Sequence, residues 1–336
     1  MRPHHLLLCL FCAVLIGCND YSEEDFPVSG PSLHATRPPG PVINEIMFAP
    51  RSTTSSAGAE QPEYIEIYNA GPSAIDLSGW RIEDSPSPSG RIYTFEFSEF
   101  PSPNHLLGPD EYAVITPEPD RTVTGSRLQQ CYPFTAALKG LSVYVDDRKT
   151  LSLNNDHDCI RLIDDKGNLV DEVCYDEAWH NPYLRETRGY ALEKFSPLLS
   201  SSTASSWSTC LDGTCSGTPG KQNSLYLPAH ETSRAPNMMT ATETFSPNGD
   251  GLNDTAVFLL TLPAGAYQMT FTIHDRSGSE ICRPADGLPS GPTARLTWDG
   301  TTTHGSTAAS GSYLARAEIQ GTTGPLIFES TIVLAR

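Results

Sequence analysis

Two short stretches hold the residue types from which a metal or acid–base site can be made. "SPNGDGLNDT", Ser246 to Thr255, sets Asn248, Asp250, Asn253 and Asp254 around Gly249 and Gly251. Oxygen donors this close in sequence can surround a hard cation such as calcium. An EF-hand register with Asn248 third and Asp250 fifth puts Ser246 first and Val257 twelfth. The twelfth position needs a bidentate Glu, so that form of calcium loop is excluded. What remains is either an irregular calcium site on Asn248, Asp250, Asn253 and Asp254, or a turn whose Asn and Asp side chains bond their own backbone. In the second stretch, "NNDHDC" enters a hairpin and "YDEAWH" leaves it. Asp156, His157, Asp176 and His180 would then share one end of the hairpin, and imidazole with carboxylate can bind a transition metal. The plainer reading is a polar sandwich end. No G-x-S-x-G elbow, H-E-x-x-H or Gly-rich phosphate loop occurs, so no residue is nominated as catalytic and no cofactor is required.

The cysteines point to an oxidising compartment. Cys9 and Cys12 lie in an apolar N-terminal run and Cys18 closes it, leaving Cys131, Cys159, Cys174, Cys210, Cys215 and Cys282. An even number outside the cytosol suggests disulfides. In "CIRLIDDKGNLVDEVCY" a two-residue turn at Lys166-Gly167 sets Cys159 opposite Cys174, whereas a one-residue bulge at Gly167 offsets them. "CLDGTC" closes a small loop and makes Cys210–Cys215 a second expected bridge. Cys131 and Cys282 have no evident partner.

The elements that must carry these residues are strands. Charged residues make up 18% of the 336, with 26 Gly and 28 Pro, which favours short strands and many turns. "VINEIMF", "EYIEIYNAG", "RIYTFEF", "EYAVIT", "GYALEKF", "AVFLLTL", "YQMTFTIHD" and "SYLARAEI" alternate with period two between Pro, Gly, Ser and Asn clusters. The chain thus reads as all-β, two immunoglobulin-like antiparallel β-sandwiches in tandem. The boundaries expected are 41–224 for the first, 225–240 for a linker and 241–336 for the second. A formal charge of −18 excludes a phosphate-neutralising stripe, so nucleic acid is not an expected partner.

The N-terminus addresses the chain to a membrane. "MRPHH" followed by "LLLCLFCAVLIG" is too short for a membrane span and right for a signal peptide, residues 1–17. "LIGC" resembles a bacterial lipobox, which implies that Cys18 is acylated and anchors the chain. Asn19 follows it in place of the Asp of the inner-membrane retention signal, and "SEEDF" resembles the export signal of surface lipoproteins. Residues 18–40 read as a Pro-rich tether spanning on the order of 25 Å as a coil. The resemblance implies an outer-membrane lipoprotein exposed at the cell surface.

Two further resemblances cover the rest. Asn44-Glu45, Glu63 to Asn69, Leu77-Ser78-Gly79-Trp80, "LLGPDEYAVIT", Trp179, "GYALEK" and "GTPGKQNS" resemble the lamin-tail domain in order, over roughly Pro41 to Ser224. The segment from Asp120 to Thr150 is longer than that pattern, as a binding loop or a surface excursion. "FSPNGDGLND", Trp298, Asp299-Gly300 and Gly311-Ser312-Tyr313 are similar to the immunoglobulin-like domain of the flagellar hook-capping protein. They are also similar to the sorting domain of type IX secretion. Together these imply a lipid-anchored, non-catalytic binding or structural module for a protein or glycan. The competing expectations are a metal-dependent hydrolase or its accessory protein, and a secretion substrate whose last domain is a removable signal.

Overall fold

The computed structural model describes residues 40–335 apart from 52–59, 87–89, 98–104, 119–126, 138–139, 147–149, 213–215 and 229–233. The signal peptide, Cys18, the tether up to residue 39 and Cys215 lie outside the described residues.

Alternating apolar residues give each strand one face to bury, and the first domain buries them between two sheets. One sheet has β1 (Pro41–Met47), β2 (Tyr64–Asn69), β7 (Tyr112–Glu118), β8 (Gly140–Asp146), β11 (Leu192–Lys194) and β12 (Trp207–Thr209), in the order β12-β11-β1-β2-β7-β8. The other has β4 (Arg81–Glu83), β5 (Thr94–Glu96), β9 (His157–Ile163) and β10 (Leu169–Asp176), in the order β10-β9-β4-β5. A small pair, β3 (Ile75–Asp76) and β6 (Leu106–Leu107), sits beside them. Ile43, Ile46, Ile65, Ile67, Ile82, Leu162 and Val173 meet in the core between the sheets. The pairing is antiparallel except that β8 runs parallel to β7. The segment from Asp120 to Thr150 therefore supplies an added edge strand. It also supplies the short helix α1 (Arg127–Cys131), which lays Leu128, Cys131 and Tyr132 against Met47, Tyr64 and Val114 on the opposite face of the larger sheet.

The second domain packs β13 (Asn237–Thr240), β15 (Ala256–Thr261) and β18 (Thr293–Trp298) against β14 (Thr244–Phe245), β16 (Tyr267–His274), β17 (Glu280–Ser290), β19 (Gly311–Gly321) and β20 (Gly324–Leu334). Trp298 centres its core, 5.3 Å from the Phe245 ring and 4.9 Å from Tyr313, with its indole N–H donating to the Thr301 carbonyl.

The stretch read as a linker, 225–240, is structured at both ends. Leu225 and Leu227 are buried, with the Leu227 N–H on the Phe195 carbonyl of the first domain. Asn237–Thr240 pair with β15 of the second. The two domains also touch directly. The Asn181 amide donates to the Tyr267 and Ser290 carbonyls at 3.1 and 3.2 Å, and Leu225 lies against Gly291.

Candidate functional site

The structure joins Cys159 to Cys174, which face each other across β9 and β10. The turn is not the two-residue one expected: Asp164 and Asn168 close it through Asp165, Lys166 and Gly167 at φ +84. This offsets the hairpin at Leu169↔Ile163, and a bulge before Asp171 restores the register that sets the cysteines opposite. Cys210 carries a free, buried thiol that donates weakly to the Asp212 carbonyl, and its expected partner Cys215 lies outside the described residues. Cys282 is also a free thiol.

Of the four residues read as a transition-metal set, Asp156, His157 and Asp176 stay at the hairpin end, with Asp176 opposite His157, and His180 turns away from them. Asp156 and His157 stay on the surface, 3.3 Å apart. Asp176 caps the short helical turn Glu177–Trp179 by accepting the Ala178 N–H. That turn rotates the chain, so His180 points inward, 3% exposed, against Phe48 and with Nδ1 2.9 Å from Thr209 Oγ1. Burial pushes its pKa down to about 4, which keeps the imidazole neutral.

The acidic loop is closed by its own backbone. Asp254 accepts N–H groups from Asn248, Gly249 and Gly251, and Asp250 accepts that of Leu252 and the Asn248 amide. Gly249, Gly251 and Asn253 take positive φ of +79, +83 and +53. The N–H donors to Asp254, that of Gly249 first, hold its carboxyl below the usual range. Three amide hydrogens aimed at one carboxylate occupy positions a cation would need.

A site absent from the sequence reading lies on the outer face of the larger sheet. Glu193, Glu45 and Glu66 stand side by side on β11, β1 and β2, in register and fully buried. Asn44 is the extra residue of a bulge in β1, so its side chain and that of Glu45 both reach this face. The segment Ser216–Leu227 crosses over the row as a strap. Its backbone N–H groups donate to the carboxylates: Thr218 to Glu45 at 2.8 Å, Gly220 to Glu66 at 2.5 Å, Ser224 and Leu225 to Glu193 at 3.1 Å. Tyr64 Oη donates to Glu45, Asn44 Nδ2 to Glu66 and Ser224 Oγ to Glu193. Asn223 completes the strap by donating to the Asn44 and Lys194 carbonyls.

Like charges directly opposite on neighbouring strands repel, and burial costs each of them its hydration. Glu45 and Glu66 respond by favouring their protonated forms. Burial, then the charges of Glu193 and Glu66, drives the Glu45 pKa well up; burial pushes Glu66 up to about 8. Thr218 Oγ1 lies 3.2 Å from Glu45 Oε2 and bonds Glu193 Oε1 at 2.5 Å. Its hydroxyl has one hydrogen, so one carboxyl has to bring the second. Burial and the neighbouring charges favour the protonated form of Glu45. Glu63, just before β2 and under the N–H of Leu151, is pushed by burial up to about 7.

Oxygens of Glu45 and Glu193 lie with the Cys210 sulfur within 4.8 Å of one another. These are metal-ligand atom types, but the strap's N–H and O–H donors already converge on the carboxylate oxygens. A cation there would face those hydrogens. The row therefore acts as a fastening for the strap. The sequence signal was a Glu inside each of three apolar strands, "VINEIMF", "EYIEIY" and "ALEKF".

Residues 34–177 match the Lamin Tail Domain family and residues 246–322 the FlgD Ig-like domain family. The chain carries a lamin tail domain followed by a FlgD Ig-like domain. The lamin tail match stops at 177, yet β11, β12 and the strap belong to the same sheet and its cover. Among solved structures, the chain is similar to CopC from Methylosinus trichosporium OB3b, at 15% identity over 30% of this chain and 93% of that one, with TM-score 0.22. It is similar to dimeric latent PorU from Porphyromonas gingivalis at 11% identity, over 88% of this chain and 20% of that one, TM-score 0.23. It is similar to PorZ from the same organism at 13%, over 84% and 36%, TM-score 0.22. Likenesses at these scores carry no functional weight. The chain spans about a fifth of PorU's length and about a third of PorZ's. No curated protein matches it.

Proposed function

We propose that the chain is a lipid-anchored, non-catalytic binding or structural module of the bacterial envelope, held by acylated Cys18 and facing outward from the outer membrane. The observation that carries the non-catalytic part is the state of the three converging carboxylates. Glu45, Glu66 and Glu193 are sealed from water and engaged by the strap, whereas general acid–base or nucleophilic work needs a carboxylate that reaches substrate. Two immunoglobulin-like domain families support the modular part. The anchoring rests on "LIGC" and the apolar run before it.

Intact mass of the protein extracted from native envelopes tests this reading. The expected species begins at Cys18, carries two or three acyl chains and retains the FlgD Ig-like domain. A species that starts elsewhere without lipid refutes the anchor. A species lacking the FlgD Ig-like domain refutes a permanent module in favour of a secretion signal that is removed. Calcium binding at Asn248, Asp250, Asn253 and Asp254 is not needed for this role.

A further inference from the structure

We propose that the cleft where the two domains meet is a binding site for an acidic oligosaccharide, gripped by Arg51 and Arg185 with Tyr183 beside them. The inference rests on the binding-module reading and names its ligand class. The cleft encloses about 450 Å³, within the range of small-ligand sites, and is lined by Arg51, Tyr183, Arg185, Tyr190, Leu288 and Pro289 among others. Its walls come from both domains and are tied together by Asn181, whose amide holds the β16–β17 hairpin while its Oδ1 accepts the Tyr183 N–H.

Arginines without a carboxylate partner gather at this place. The chain has 22 basic against 40 acidic side chains. Arg81, Arg127, Arg161, Arg283 and Arg316 each pair with a carboxylate. Among the described residues Arg51, Arg185 and Arg188 pair with none and gather at this junction, whereas Arg276 and Arg295, also without a carboxylate partner, stand apart from each other elsewhere in the second domain. Arg51 is held in place: its Nε donates to the Arg188 carbonyl at 3.1 Å and its guanidinium lies 5.2 Å from the Tyr190 ring centroid. Gly189 makes that pose possible, because a Cβ there would fall 2.3 Å from Arg51 Cγ. The terminal nitrogens of Arg51 bond to no described residue. Of the two lining acids, Asp286 bonds Arg283 at 3.1 Å, a guanidinium it shares with Glu280, and the other is Glu186.

Guanidinium forks match carboxylate or sulfate oxygens in pairs, and the tyrosine rings offer flat faces to a sugar ring. An extended peptide fits less well. The facing strand β17 is interrupted by Pro284 and Pro289 and slips register with β16 at three points, which blunts it as an edge for strand addition. A nucleic acid would meet a chain of net charge −18.

Isothermal titration of the purified full chain with galacturonate oligomers, and with maltotetraose as the neutral probe, tests the inference. Binding of the acidic probe should weaken by about tenfold or more in Arg185→Glu, the loss of one charge-assisted contact. The same variant should leave the melting temperature unchanged, since the Arg185 side chain is exposed. Tyr183→Ala should weaken binding too, and raising NaCl from about 50 to about 500 mM should do the same in wild type. No binding of the acidic probe, or equal binding by Arg185→Glu, overturns the cleft; binding of the neutral probe alone would do so while leaving the module reading intact. Reducing ends are followed in the same samples. Their release would overturn the non-catalytic reading, and the difference between wild type and Arg185→Glu still decides the cleft.

Discussion

Substituting Glu66→Gln removes one proton-binding group from the buried row and should change how the first domain's stability depends on pH. In the unfolded chain Glu66 titrates near the ordinary 4.5, and in the folded chain near 8. Folding therefore takes up a proton across that window. The stability linked to Glu66 is full below about 4.5 and falls by about 1.4 kcal/mol per pH unit as pH rises towards about 8. Over the whole window that amounts to roughly 4–5 kcal/mol. Gln cannot titrate, so the variant's stability curve should be flatter than wild type by about 1.4 kcal/mol per unit between about pH 5 and about pH 8. Its absolute stability also shifts, because the Gln amide cannot accept both the Gly220 N–H and the Asn44 amide. The slope is independent of that offset. Chemical denaturation at several pH values, followed by fluorescence, reads it: Trp80, Trp179 and Trp207 report the first domain and Trp298 the second. Equal slopes in wild type and Glu66→Gln would falsify the buried, protonated carboxyl and with it the account of the strap.

Three further outcomes follow from the same geometry. His180 has a folded pKa of about 4 against an ordinary 6.5, so its contribution is complete above about 6.5 and disappears as pH falls towards 4. His180→Phe should flatten the acid limb of the stability curve by about 1.4 kcal/mol per unit, and an unchanged limb would mean the ring is solvated. Replacing Cys159 and Cys174 together by Ser should lower the unfolding free energy by less than the roughly 3 kcal/mol that a loop of this size predicts, because the hairpin already keeps its ends close. A larger loss would mean that β9 and β10 separate without the bridge. In the acidic loop, millimolar calcium should leave the melting of the second domain unchanged, and Asp254→Ala should lower it by freeing three N–H groups; a calcium-dependent rise would show that an ion displaces those bonds.

The fold was legible where one physical signal sufficed. Strict alternation in "YQMTFTIHD" sets Tyr267, Met269, Phe271 and Ile273 on one face, and all four are buried in the second core. The bridge between Cys159 and Cys174 was legible from hairpin arithmetic, though a three-residue turn and a bulge cancel to give the expected register. The buried row was not legible. Alternation says that Tyr64, Glu66 and Tyr68 share a face, but not that a segment about 150 residues later folds over it. His180 escaped for a local reason, since the turn Glu177–Trp179 reverses the direction that strand periodicity would give it. The linker was read too long because Leu225 and Leu227 lie in a Pro-rich stretch yet are fastened to the first domain.

A strap held by apolar packing alone could slide along the sheet, because the hydrophobic effect has no direction. Here four backbone N–H groups at fixed spacing each find a particular carboxylate oxygen. Shifting the strap by one residue would replace the Gly220 donor with Pro219 or break the pairing of Ser224 and Leu225 with Glu193. Hydrogen bonds of this kind fix register, and an environment that favours the protonated form of Glu45 limits the charge that has to be buried. The same fastening runs on to Leu225, which lies against Gly291 of the second domain. The glutamate row thus sets where the strap leaves the first domain, and so helps set the second domain against the loop that carries Tyr183 and Arg185. The position of the cleft depends on carboxylates that never reach it.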